Sequence, residues 1–487
     1  MQRKPNVILF VAESYRGDVL GHAGNPGAVT PNLDALVGRD AVSYSNAFSQ
    51  NPVCTPSRCS FMTGWYPHVH GHRSMRNLLK DHEPHLLKVL RQEGYRVWWG
   101  GKNDLVAVES PEDYQKHCDI KYRSDQQQTD EGYRLQPLPE DDPRYRLYYR
   151  GVAERGGAGQ PYRHKDEALV DGALDVIARH QGTQPLCIYL PLSLVHPAYV
   201  TTRKYYDLIN PDLLPPCLPV GRGEPPVLAA LRQAYGASAV TDEQWRDIRR
   251  IYYAMCAQVD DLFGRVVEAL RRQGMYDETL LAFFSDHGDF TGDYGLPEKT
   301  HATLQDCLLH VPLIIKPPAD VAVKPGLRRQ LTELLDVSAT IYDLLGIEPG
   351  YTCQGSSLRA SLAGDESELH HAVFAEVGSR RGETSFKNME AKASPPGSFY
   401  QVQSGAALPF ADAGTYAVMC RTLAHKYVRR GYTGHHELYD LRQDPGELCN
   451  LAGDPAHAAL ESEMQSCLLE YFMRTGDVLP LKQDRRG

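Results

Sequence analysis

Near its N-terminus the chain carries an apolar run from Val7 to Ala12, short enough for a single strand and polar on both flanks. A run of that length without alternation predicts a strand over Val7–Val11, buried on both faces. Comparable runs recur at Val97–Gly100, Leu186–Leu192, Leu280–Ser285 and Val311–Ile315. Between them the apolar spacing changes to three and four, which predicts helices over Pro31–Gly38, His85–Gln92, Asp166–Arg179 and Asp242–Gln273. The last of these has Ile248, Ile251, Tyr252, Met255, Val259, Leu262, Val266 and Leu270 at helical spacing. Strands alternating with amphipathic helices describe an α/β sheet covered by helices on both faces.

From Gly364 onward the texture changes. Short strand-like pieces at Ala372–Val377, Tyr416–Met419, Lys426–Arg429 and Glu437–Asp440 precede a helix near His457–Met473. The expected organisation is an α/β domain over 1–365 and a smaller α+β domain with a short antiparallel sheet over 366–487. Arg380–Ser404, rich in Gly, Pro and Ser, reads as a long loop. Together with Ser124–Arg150 it is where selectivity is expected, and Arg380, Arg381 and Lys387 stand as either substrate contacts or solvated charges. Lys482–Gly487 reads as a polar tail.

Composition narrows the functions. A net charge of −9 and a pI near 6.1 offer no basic field for nucleic acid, so an anionic substrate has to be drawn by a local cationic pocket. No stretch approaches the ~20 apolar residues of a membrane span, and the opening MQRKPNVILFVAES lacks a leader pattern, so a cytoplasmic location is expected. Eleven cysteines at irregular spacings, without a C-x-x-C pair, indicate neither a disulfide framework nor a zinc site. His68, His70 and His72 alternate as an extended rim loop would, with no fourth zinc ligand at a standard spacing. Self-association into a homo-oligomer stays open.

The chemistry concentrates in Asn51-Pro52-Val53-Cys54-Thr55-Pro56-Ser57-Arg58, followed by Thr63-Gly64. Pro56 is tolerated only in the first turn of a helix, which puts Cys54 at or just before a helix N-terminus. Unpaired backbone N–H groups there favour negative charge, and Arg58 lies one turn along on the same face. Glu13 and Asp286, each directly after a predicted strand, offer the oxygen ligands a hard divalent cation takes.

Cys54, Pro56, Ser57, Arg58, Thr63 and Gly64 match the C-x-P-S-R…T-G signature, and the chain resembles the sulfatase family of the alkaline-phosphatase-like superfamily. Thr30–Leu36 resembles that family's early helix, and Glu437–Leu441 with Asp444–Glu447 resembles its C-terminal hairpin. The resemblance implies a large mixed sheet sandwiched by helices. It also implies oxidation of Cys54 to formylglycine by a maturation enzyme, and cleavage of sulfate esters through a formylglycine-hydrate nucleophile and a covalent sulfo-enzyme intermediate. Arg58 would hold the hydrate, Lys102 and Lys299 would grip the sulfuryl group, and His196 would give a proton to the leaving alcohol. The metal would be held by Glu13, Cys54, Asp286 and His287.

Two positions depart from the family pattern. Glu13-Ser14 stands where two aspartates are usual, which keeps calcium as the expected ion but makes manganese or magnesium an alternative. Asp104 stands where a histidine usually follows the first lysine, and is assigned to the substrate pocket with His301. Tyr15-Arg16-Gly17-Asp18 and His72–Asn77 resemble stretches of phosphonate monoester and phosphodiester hydrolases, which brings Asn77 to the bound oxyanion. Three functions follow: a sulfatase acting on an aryl, alkyl or carbohydrate sulfate, a phosphonate monoester or phosphodiester hydrolase, and a non-catalytic binding protein with Cys54 unmodified.

Overall fold

The computed structural model describes residues 4–124, 138–139, 141–155, 161–380, 399–411, 415–431 and 434–478. Arg381, Lys387, the polar tail and much of the two expected loops lie outside the described residues.

The first strand, β1 (Asn6–Ala12), is buried along its whole length because it runs between two parallel neighbours. The other strands of the large sheet are β2 (Val42–Phe48), β3 (Arg96–Gly100), β4 (Ile120–Tyr122), β6 (Leu186–Pro191), β8 (Thr279–Ser285), β9 (His310–Val311), β10 (Leu313–Lys316) and β11 (Gly326–Glu333). A separate pair, β5 (Tyr149–Val152) and β7 (Tyr199–Thr201), lies apart from it. The large sheet runs β11-β2-β10-β8-β1-β6-β3-β4, with β9 beside β2. It is mixed: β10 is antiparallel to β8 and β2, whereas β1, β3, β6 and β8 run parallel. Two antiparallel steps leave β2 pointing the same way as β8. The carboxyl ends of β1, β2, β3, β6 and β8 therefore open on one edge.

Alternate residues of β1 serve different cores, as the two-residue repeat of a strand requires. Ile8, Phe10 and Ala12 pack with helices α1 (Pro31–Val37), α4 (Lys165–Arg179), α5 (Pro226–Tyr235) and α6 (Asp242–Arg272). Val7, Leu9 and Val11 pack with α2 (Cys54–Thr63), α3 (Leu86–Gln92) and α7 (Leu335–Leu345). The long α6 starts at a capping box in which Thr241 and Gln244 satisfy one another's backbone N–H groups. Its Phe263 meets Phe10 and Phe283 edge-on, both at 5.3 Å.

Beyond the large sheet, β12 (Val373–Val377), β13 (Ala417–Arg421), β14 (His425–Arg430) and β15 (Glu437–Asp440) form an antiparallel sheet. One face carries the terminal helix α9 (Ala458–Thr475), through Met464, Leu468 and Tyr471. The other face, through Val373, Ala375 and Met419, packs on Phe48, Leu304 and Leu309 of the main body.

Two expectations change. Pro312 divides the expected strand Val311–Ile315 into β9 and β10, since it has no N–H to continue the ladder. The described end of the expected loop Arg380–Ser404 is helical: α8 (Phe399–Ala411) stacks Phe399 on Tyr235 of α5, ring centroids 5.0 Å apart.

Candidate active site

Glu13 is the residue after β1 and Asp286 the residue after β8, strands paired in register from Asn6↔Thr279 to Ala12↔Ser285. The register alone brings the two carboxylates side by side. Ser14 takes a left-handed φ of 61°, and its N–H donates to Asp286 Oδ1 at 3.2 Å. After Asp286 the chain turns away at Gly288, where a Cβ would lie 2.0 Å from the Cys307 carbonyl oxygen.

From the end of β2 the chain reaches α2, whose first residue is Cys54. Asn51 Oδ1 accepts the Val53 N–H, and Ser57 Oγ donates to the Asp286 carbonyl at 2.6 Å, tying the helix start to the strand ends. Cys54 Sγ donates to Glu13 Oε1 at 2.9 Å and lies 3.4 Å from His287 Nε2. One turn on, Arg58 reaches Asp286 Oδ2 with Nε at 3.0 Å and Nη2 at 2.9 Å. At the helix end Gly64 is left-handed, φ 70°, and a Cβ there would lie 2.1 Å from Cys353 Sγ.

Ligand atoms of Glu13, Cys54, Asp286 and His287 all lie within 4.8 Å of one another, and all four residues are buried. The donor set fits a divalent cation. His287 Nδ1 faces the Gly288 carbonyl at 2.8 Å, and a carbonyl only accepts, so Nδ1 carries the hydrogen and Nε2 keeps its lone pair. Burial lowers the His287 pKa, which keeps the ring neutral. Burial opposes the charge of Glu13, yet Lys102, His196 and Arg58 outweigh it and hold the carboxyl well below its ordinary range. Burial and then Glu13 push the Cys54 thiol up, so the encoded cysteine is a protonated thiol here.

Above this centre opens a cavity of about 330 Å3. Lys102 enters it after Gly101, whose φ of 125° and close approach to the Pro191 oxygen require glycine. Lys102 Nζ lies 2.8 Å from Glu13 Oε2 and 2.9 Å from Asp104 Oδ2. Lys299 Nζ donates to Glu298 at 2.7 Å. Despite burial, which lowers both, the facing carboxylates and thiol raise the pKa values of the two lysines, so both stay charged.

His196 follows β6 on a turn held by Asp166, whose Oδ2 accepts the N–H groups of Ser193 and Leu194, both at 2.7 Å. Burial and then Lys299 lower its pKa to about 4, against the pull of Glu13 and Glu298. His301 also borders the cavity.

Of the residues expected from sequence, the cavity and its floor gather Glu13, Cys54, Arg58, Lys102, His196, Asp286, His287, Lys299 and His301. Asp104 and Asn77 are placed differently. Asp104 spends its carboxylate on Lys102, and exposed Asn77 accepts from Ser74 and, through its carbonyl oxygen, from His72. The three histidines lie on a short helix, Pro67–His70, and the loop after it rather than on an extended rim. His68 pairs with Glu376, while His70 and His72 pair with Glu83.

Tyr148, Tyr400 and Lys165 border the cavity and Glu298 lies behind it; no motif pointed to them. Tyr148 and Tyr400 lie within Ser124–Arg150 and Arg380–Ser404, the two segments where selectivity was expected, although no argument singled them out.

A mixed sheet with such a centre on its carboxyl edge is the architecture of the alkaline-phosphatase-like hydrolases. The phosphonate monoester hydrolase of Agrobacterium radiobacter superposes with a TM-score of 0.75 at 24% identity, covering 97% of this chain and 96% of that one. Arylsulfatase K of Bos taurus is 26% identical over 471 residues, spanning 92% of this chain and 78% of its own. A multifunctional alkaline phosphatase superfamily protein of Trinickia caryophylli is also 26% identical, over 98% of this chain and 96% of its own. The sulfatase family model matches residues 5–347, and the chain belongs to that family, the sulfuric ester hydrolases.

Proposed function

We propose that the protein hydrolyses sulfate esters in this cavity, with residue 54 as nucleophile after conversion to formylglycine. The observation that carries this reading is the meeting of Cys54 with Glu13, Asp286 and His287 directly beneath Lys102 and Lys299. A bound divalent cation, calcium in the first instance, would supply Lewis-acid charge to the sulfuryl oxygens and to the nucleophile. Glu13, Asp286, His287 and residue 54 would hold it.

Arg58 lies on the Asp286 side and orients that carboxylate. Lys102 and Lys299 are fixed charges for the non-bridging sulfuryl oxygens, placed in advance of the reaction. His196 presents Nε2 to the cavity and donates a proton to the departing oxygen. An anionic ester set against Lys299 and Lys102 cancels two cations that disfavour protonation of His196, so substrate binding itself favours the imidazolium. The names of arylsulfatase K and of the choline-sulfatase of Rhizobium meliloti, 28% identical over 71% of this chain, agree with a sulfate ester as substrate.

Phosphonate monoester hydrolysis is the second reading, favoured by His287 in the donor set. Asn77, which pointed toward it, accepts hydrogen bonds from Ser74 and His72. Protein co-expressed with a formylglycine-generating enzyme is expected to be ~18 Da lighter at residue 54. It is expected to turn over 4-nitrophenyl sulfate faster than a phenyl phosphonate monoester. The reverse order assigns the second reading, and an unmodified thiol at residue 54 in protein from the native host assigns the non-catalytic binding protein.

A further inference from the structure

Behind the cavity wall lies a carboxylate that none of the motifs includes. Glu298 is fully buried, and its backbone takes a left-handed φ of 58°, with its N–H donating to Tyr199 Oη at 2.7 Å. A non-glycine residue held in that region costs free energy and persists where its surroundings over-determine it. Its Oε1 is the meeting point of three polar groups: Lys299 Nζ at 2.7 Å, His196 Nε2 at 3.4 Å and Tyr400 Oη at 3.4 Å. Gln403 of α8 approaches Oε2 at 3.5 Å and donates to the Lys299 carbonyl at 2.7 Å.

The hydrogen-bond roles follow from the partners. His196 Nδ1 faces the Pro197 carbonyl, which only accepts, so Nδ1 is a donor in either protonation state. Nε2 is then the nitrogen that gains or gives a proton. Tyr400 Oη, on the cavity wall, is 3.1 Å from it. With Nε2 unprotonated the tyrosine hydroxyl donates to it. With Nε2 protonated and its N–H directed at the bridging oxygen, the same hydroxyl turns to Glu298. Glu298 serves both arrangements without moving.

We propose that Glu298 is a positioning residue for departure of the leaving group, locking Lys299 on the sulfuryl group and His196 on the bridging oxygen in one register, with Tyr400 as the hydroxyl that follows the proton. The inference rests on the hydrolytic reading above. In the step it serves, an alkoxide oxygen of the hydrated residue 54 forms a bond to sulfur while the bridging S–O bond breaks and its electron pair goes to the leaving oxygen. That oxygen takes the proton from His196 Nε2, whose N–H electrons stay on the ring as it becomes neutral.

Assistance of this kind matters little for a stable leaving anion and strongly for a basic one. The test compares kcat/KM of wild type and Glu298→Gln over sulfates of 4-nitrophenol, less acidic phenols and phenol. The variant is expected to lose a few-fold with 4-nitrophenyl sulfate and about 100-fold with phenyl sulfate, so the dependence on leaving-group acidity steepens. An equal loss along the series, with unchanged slope, overturns the proposal.

Should Glu298→Gln fail to fold, Tyr400→Phe carries the same comparison: a smaller steepening is expected, and an unchanged slope overturns the proposal. Should wild type cleave no sulfate, the sulfate reading fails separately. The same phenols presented as phenyl phosphonate monoesters then report whether Glu298 controls the slope.

Discussion

Arg58 is fully buried, and two of its nitrogens converge on one oxygen of Asp286 while Nη2 stands 3.9 Å from Glu13. Its planar fork cannot be reproduced by an ammonium. Arg58→Ala is expected to lower the unfolding free energy by about 3–5 kcal/mol, because two buried carboxylates lose a counter-charge. Arg58→Lys is expected to retain more of that stability and still lose most activity; urea unfolding and turnover on one aryl sulfate check both. Arg58 and Cys54 were legible in the sequence because they sit in a short motif whose local structure fixes their direction, and the two lysines through the family resemblance. Glu298 and Tyr400 were not, since their meaning lies in contacts spanning 102 residues that no local pattern encodes. Asp104 shows the converse: its position after Lys102 was readable, but its pairing with Lys102 appears only in three dimensions.

Helix α2 joins the nucleophile at one end to a tight exit at the other. Gly64 fails as alanine on two counts, the left-handed backbone and the Cys353 sulfur standing where a Cβ would go. Gly64→Ala is expected to cost more than about 1 kcal/mol. Adding Cys353→Ala should recover the steric share and leave the backbone share, a difference that a double-mutant cycle in urea resolves. Among the strands, β1, β3, β6 and β8 were visible as unbroken apolar runs because each has a neighbour on both sides and a core on both faces. β2 (VSYSNAF) and β11 (GLRRQLTE) were not, since partly exposed Asn46 and exposed Arg329 interrupt the pattern near the end of the sheet. Helix α8 was hidden because its first six residues, Phe399–Ser404, end the Gly-, Pro- and Ser-rich segment Arg380–Ser404 that read as loop, and packing against α5 overrides that reading.

At the scale of the whole molecule, buried Glu333 and partly buried His370, near the join of the large sheet and the small one, contribute to a pH dependence. Burial opposes the charge of His370, but Asp336 at 2.9 Å outweighs it and raises the pKa to about 9. Burial raises Glu333 to about 7. In both cases the folded state binds more protons than the unfolded chain, so stability falls as pH rises. The loss due to Glu333 runs from about 4.5, its ordinary value, to about 7, and that due to His370 from about 6.5 to about 9. Relative to wild type, Glu333→Gln is therefore expected to flatten the dependence of the urea midpoint on pH between about 4.5 and about 7, and His370→Asn that between about 6.5 and about 9. A second expectation concerns the donor set: exhaustive chelation should lower the melting temperature as well as activity, and calcium or manganese should restore both, because two buried carboxylates otherwise face each other. No helix among the described residues is long and apolar enough to cross a membrane. The seat of Cys54 carries a consequence of timing. With 2% of its surface accessible and its sulfur wedged between Glu13 and His287, it is out of reach of any other protein once the sheet has closed. On the proposed conversion to formylglycine, a catalyst that rewrites this side chain is expected to finish while the chain is still open, so folded protein purified with the thiol intact is expected to stay inert however long it is later incubated with that catalyst.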